Sequence, residues 1–150
     1  MALALAATSG GDGGDDESRR KAEIFFHRGR SVADAEHFDY AVEMFRQGLA
    51  IIPEHAAAHQ ELRVISFQRK AAGGKSLEAT QILSMNARVR DNKQAMLNAE
   101  MLLAYDPGNA EHMLALAEAA ARAGYVSVVE WITPILRMTQ RGIGGARELE

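Results

Sequence analysis

The chain has 150 residues, 47% of them apolar and 25% charged, and a formal charge of −3. That composition suits one soluble domain with a single core and is too short for two comfortable ones. It has no cysteine, which excludes disulfides, thiolate metal sites and cysteine nucleophiles.

The N-terminal "MALALAA" is a brief apolar run with no basic residue before it, which argues against a cleaved signal peptide. No apolar run approaches the roughly 20 residues that span a bilayer. The expectation is a cytoplasmic protein with no membrane segment. Residues 1–18 carry Asp12, Asp15, Asp16 and Glu17 without a base, and "TSGGDGGDDES" is too rich in Gly and Asp to bury anything. It reads as a disordered acidic leader. Residues 140–150, "QRGIGGARELE", read as a flexible tail. Between them, 19–139 is helical in pattern and has no convincing run of alternating β-branched residues. The predicted fold class is all-α.

The first predicted helix pair lies between Ala22 and His55. Small residues at Gly29 and Ala41 allow two antiparallel helices to approach, and Phe25, Phe38 and Phe45 fill the space around that contact. Pro53 then ends the second helix. A third helix is expected from Ala56 to about Lys70, with His59, Leu62 and Ile65 on its packed side. Further helices follow in "NKQAMLNAEMLLAYDP", in "AEHMLALAEAAARAG" with Asn109 as N-cap and Gly124 as left-handed C-cap, and in "SVVEWITPILRMTQ". In the last of these Ser127 and Glu130 suit a capping box, and Pro134 is expected to kink the helix.

The 34 residues from Ala22 to His55 resemble a tetratricopeptide repeat (TPR). Phe25, Gly29, Phe38, Ala41, Phe45, Gly48, Leu49 and Pro53 fall where its pattern wants them, while Arg28 and Val32 replace the usual Leu and Tyr. Ala95, Ala99, Leu102, Leu103 and Pro107 match a second repeat. The resemblance implies a right-handed TPR-like solenoid of antiparallel helix pairs, with repeats at 22–55, 56–109 and 110–139. Because Pro53 and Pro107 lie about 20 residues further apart than one 34-residue unit, the second repeat is expected to hold an insertion near 71–91. A solenoid ending at the last helix leaves one apolar flank, which predicts self-association or further repeats.

Four features bear on chemistry. "GGKS" at Gly73–Ser76 ends like a nucleotide phosphate loop, but the glycine required five residues before Gly74 is Arg69, and the segment before it is helical. It reads as a helix stop. His55 and His59 stand one turn apart without a third ligand, so no metal is expected, and His59 reads as a buried, hydrogen-bonded core histidine. No catalytic constellation is recognisable by spacing, so neither enzyme activity nor a cofactor is expected. Finally, residues 63–93 hold Arg63, Arg69, Lys70, Lys75, Arg88, Arg90 and Lys93 against Glu78 and Asp91. This basic patch is the basis of an alternative reading, binding of RNA or another polyanion, which the lack of interleaved aromatics disfavours.

The TPR resemblance implies instead a non-catalytic scaffold that binds a protein or peptide partner in a concave groove. That groove would be lined by Phe26, Arg30, Gln60, Val64, Phe67, Glu111, Leu114 and Glu118. TPRs that clamp a chaperone's C-terminal carboxylate need Lys, Asn and Arg at set places. Here those places hold Phe26, Arg30, Glu61, Glu111 and Ala115, which argues against such a clamp.

Overall fold

A computed structural model describes residues 2–87 and 89–149, with side chains over 15–87 and 89–142. The described residues form seven helices and no strand: α1 (Ala2–Asp34), α2 (Phe38–Ile51), α3 (Ala56–Ala71), α4 (Ala79–Asn86), α5 (Asn92–Tyr105), α6 (Ala110–Ala123) and α7 (Val126–Leu149). The all-α class is thus observed. Among them, no helix is long and apolar enough to cross a membrane. α1 includes the Gly- and Asp-rich stretch read as a leader, and among its described side chains, from Asp15 on, the first buried one is Ala22. α7 runs through Pro134 and includes the stretch read as a tail, and among its described side chains, up to Gly142, the last buried one is Leu136.

α1 and α2 pack as an antiparallel pair around the expected contact. A Cβ on Gly29 would stand 2.6 Å from the Phe45 ring and 3.4 Å from the Ala41 carbonyl oxygen. The absence of a side chain there is what lets the two helices close. The buried stripe of α1, however, is Ala22, Phe26, Gly29 and Ala33, at helical spacing, while Phe25 is only half-buried.

The turn after α1 is closed by Glu36 N–H donating to Ala33 O at 2.9 Å and His37 N–H to Val32 O at 2.9 Å. This is the arrangement that places a left-handed residue after a helix. Glu36 is that residue, with φ 67°. The same bonds close α3 at Gly73 (φ 84°) and α6 at Gly124 (φ 83°). A side chain in this conformation costs roughly 1–2 kcal/mol, of which the freer unfolded chain of a glycine variant returns a part. Glu36→Gly is therefore expected to stabilise the fold by about 1 kcal/mol, read as a raised urea midpoint at unchanged slope.

Other ends follow their sequence signals. Asn109 Oδ1 accepts from His112 N–H at 3.1 Å, as expected of an N-cap. α7 differs: it begins at Val126, whose amide donates to the Gly124 carbonyl, the Val128 and Val129 amides donate to the Tyr125 carbonyl, and the Ser127 hydroxyl donates to the Glu54 carbonyl at 2.6 Å. The expected capping box is absent because Ser127 lies inside the helix and ties α7 to the turn before α3.

Consecutive helices pack in pairs, α1–α2, α2–α3, α5–α6 and α6–α7. α3 also meets α5 and α7, whereas α3 and α6 are not a closely packed pair among the described residues. One core runs through all of these helices except α4, none of whose side chains is buried. α4 rests on α5.

Candidate binding surface

α3 sorts its residues sharply by face. Ala58, His59, Leu62, Ile65, Ser66 and Arg69 are buried, while Gln60, Val64 and Phe67 face outward. The buried polar groups are all satisfied. His59 is wholly buried, with Nδ1 2.8 Å from Glu100 Oε2 of α5 and Nε2 2.8 Å from the Pro53 carbonyl oxygen. Both neighbours are acceptors when Glu100 is ionised, so only the doubly protonated imidazolium donates to both. Burial pushes the ring towards neutrality. The Glu100 charge and hydrogen bond, helped by the Pro53 carbonyl, outweigh that and raise the His59 pKa.

The single tryptophan closes this site from α7. Its ring centroid lies 5.7 Å from that of His59, and its Nε1–H donates to Gln60 Oε1 at 2.6 Å. α3, α5 and α7 therefore converge on one imidazole. His59 was legible as a core histidine. Its acid partner was signalled by a lone charge inside the apolar run "NAEMLLAY" of α5.

The expected groove residues divide into three groups. Phe26 is a correction, because it is fully buried rather than exposed. Its ring meets Phe45 at 5.4 Å and the edge of His55 at 5.4 Å, in a slot that exists because Gly48 lacks a side chain. Arg30 and Gln60 are engaged within the molecule. Arg30 makes a two-pronged pair with Glu61 at 2.5 and 3.1 Å, and Gln60 accepts from Trp131. Val64, Phe67 and Leu114 are 47%, 41% and 42% exposed, and Glu111 and Glu118 are exposed beside Leu114 on α6.

Arg63 of α3 reaches the turn between α5 and α6. Its guanidinium lies over the Phe67 ring, 4.8 Å from the centroid, and Nη1 donates to the Pro107 carbonyl at 3.0 Å. That bond brings the middle of α3 to the turn that starts α6.

The seven basic residues do not form one surface. Arg69 is 4% exposed and paired: Nε donates to Asp39 Oδ1 at 2.5 Å, Nη2 to the Lys75 carbonyl at 2.5 Å, and the guanidinium lies over Tyr105, 4.2 Å from the ring centroid. It also covers Gly74, so "GGKS" wraps an arginine. Arg63 is occupied as above, and Lys70, Lys75 and Arg90 are exposed, while Lys93 is half-buried. Arg88 lies outside the described residues. Among the described residues, no group of three His, Asp or Glu is placed to hold a metal ion. Comparison with protein-family models, curated proteins and solved structures found no match to the chain.

Proposed function

We propose that this protein is a TPR-like, non-catalytic scaffold of the cytoplasm that binds a peptide or protein through the outward faces of α3 and α6. The observation that carries this reading is the exposure of Val64, Phe67 and Leu114 on helices whose opposite faces are fully packed. A helix needs one apolar face for its core, and large apolar residues beyond that face mark contact surfaces when they cluster. Phe67 under the Arg63 guanidinium combines the two residue types that dominate binding hot spots.

The TPR likeness is supported by the Gly29–Ala41–Phe45 contact and by the short turns joining consecutive helices. The repeat is irregular at α3. His59, Arg63 and Arg69 reach Glu100, Pro107 and Tyr105, all in or just after the second half of α5. In an antiparallel register Arg69 would face the start of α5 instead.

The test is a variant carrying Val64→Ser, Phe67→Ser and Leu114→Ser, compared with the unaltered protein in quantitative capture from the native host. The expected result is at least a tenfold loss of the captured partner, corresponding to about 1.4 kcal/mol or more, with an unchanged circular dichroism spectrum. Equal capture by both proteins contradicts the proposal.

A further inference from the structure

We propose that His59 is a pH-operated clasp for α7: its doubly protonated ring holds the start of α7 against α3, and loss of one proton releases that contact while the other helices stay packed. The device does not depend on the binding reading above.

Two links run from this one imidazole to α7. The first is direct. The Trp131 and His59 rings lie 5.7 Å apart, centroid to centroid, with 32° between their planes, so the indole face meets a cation whose attraction the neutral ring lacks. The second link runs through the turn between α2 and α3. His59 Nε2 donates to the Pro53 carbonyl at 2.8 Å, and the next carbonyl, that of Glu54, accepts from the Ser127 hydroxyl of α7 at 2.6 Å. The ring therefore fixes the turn to which the start of α7 is tied.

A ring with a single N–H cannot serve two acceptors. The Glu100 carboxylate, 2.8 Å from Nδ1, carries the full charge and keeps the remaining proton. Nε2 then sets a lone pair against the Pro53 carbonyl oxygen in a wholly buried site, an arrangement relieved by moving the turn away. Both links to α7 weaken together. Leu62 and Ile65 keep α3 in the apolar core, whereas α7 leans mainly on α6, meets α3 over a smaller seam and is tied at the exposed Ser127. α7 is thus the element that can yield locally.

The charged groups on the surrounding elements leave Glu100 to set the balance. Arg63 of α3 acts on Glu100, and on α2 Glu43 pairs with Arg46 and Asp39 with Arg69. In the turn, Glu54 is exposed, and the His55 ring caps α3 through Nδ1 and faces Glu23 of α1 through Nε2. On α7, Glu130 is exposed and Trp131 is uncharged. Burial favours the neutral His59 ring, but the Glu100 charge and hydrogen bond outweigh it, and the folded pKa stands above the ordinary value. The clasp is closed below that pKa and opens as pH rises through it.

The test is hydrogen exchange of the full chain by mass spectrometry from about pH 5 to about pH 10, corrected for the intrinsic rate at each pH, beside an NMR titration of the His59 ring. As His59 deprotonates, peptides covering residues 126–132 are expected to lose at least tenfold more protection than peptides covering α2. Trp131 emission should shift to the red with the same midpoint. Glu100→Gln is expected to move the transition to lower pH. Ser127→Ala, a change at the surface, should lower the protection of 126–132 below the transition, and with the wild type it decides the question if Glu100→Gln does not fold. A His59 titration that leaves 126–132 protected overturns the proposal, as does a ring that does not titrate in this range. Equal loss of protection in α2 and α7 also overturns it, by making His59 a determinant of global stability alone.

Discussion

Glu100→Ala is expected to lower the unfolding free energy by about 3–5 kcal/mol, the usual consequence of removing one partner from a buried, hydrogen-bonded charge pair. His59 then keeps its burial but loses the carboxylate that sustains its charge. Wild-type stability is also expected to depend on pH in a defined sense. The folded His59 pKa lies above the ordinary value of about 6.5, so the folded state holds a proton that the unfolded state has released. The stability this contributes is complete below about pH 6.5 and is lost as pH rises through the folded pKa, with a limiting slope of about 1.4 kcal/mol per pH unit.

The charged groups around the ring are Glu100 from α5 and, acting on Glu100, Arg63 from α3, while Trp131 closes the α7 side without charge. In Glu100→Gln the carboxylate charge is gone and burial dominates. The His59 pKa should then fall below the ordinary value, and this contribution should reverse, with stability lost as pH falls. Urea titrations at several pH values, followed by the fluorescence of Trp131, check both signs.

Phe26→Ala is expected to cost about 3–5 kcal/mol, the range for deleting a fully buried phenylalanine ring. Phe67→Ala, at a 41% exposed position whose ring lies under the Arg63 guanidinium, should cost no more than about 1 kcal/mol. The pair of measurements separates a core aromatic from a surface one. If Phe26→Ala left stability intact, the packing of α1 on α2 would be wrong.

These two aromatics show where sequence reading succeeded and where it failed. Periodicity placed six of the seven helices of the described residues but not the short α4 inside the insertion, and Pro53, Asn109, Gly73 and Gly124 marked their joints, because each signals through local backbone chemistry. Gly29, Ala41 and Phe45 announced a close helix contact for the same reason. Phe25 and Phe26 are adjacent, however, and which of them faces inward depends on the slot at Gly48, on another helix.

The long-range polar partners were equally hidden. His59 finds Glu100 41 residues away, and Arg69 finds Asp39 30 residues away. Charge counting placed Arg69 in a basic patch open to a polyanion, whereas the aromatic face of Tyr105 and the Asp39 carboxylate make its burial tolerable. On the candidate surface, Val64, Phe67 and Leu114 were legible as apolar residues beyond the needs of packing. That Trp131 takes Gln60 was not, since nothing local in α7 specifies its register on α3.

The most direct test of the central claim, that the outward faces of α3 and α6 bind a protein partner, is site-specific photo-crosslinking in the native host. A photoreactive amino acid is placed at Phe67, at Leu114 or, as a control at an exposed apolar residue of another helix, at Ile24 of α1, which is 63% exposed. The account predicts the same discrete protein adduct from positions 67 and 114 and none from position 24. Adducts of equal yield from all three positions, or none from 67 and 114, would contradict it.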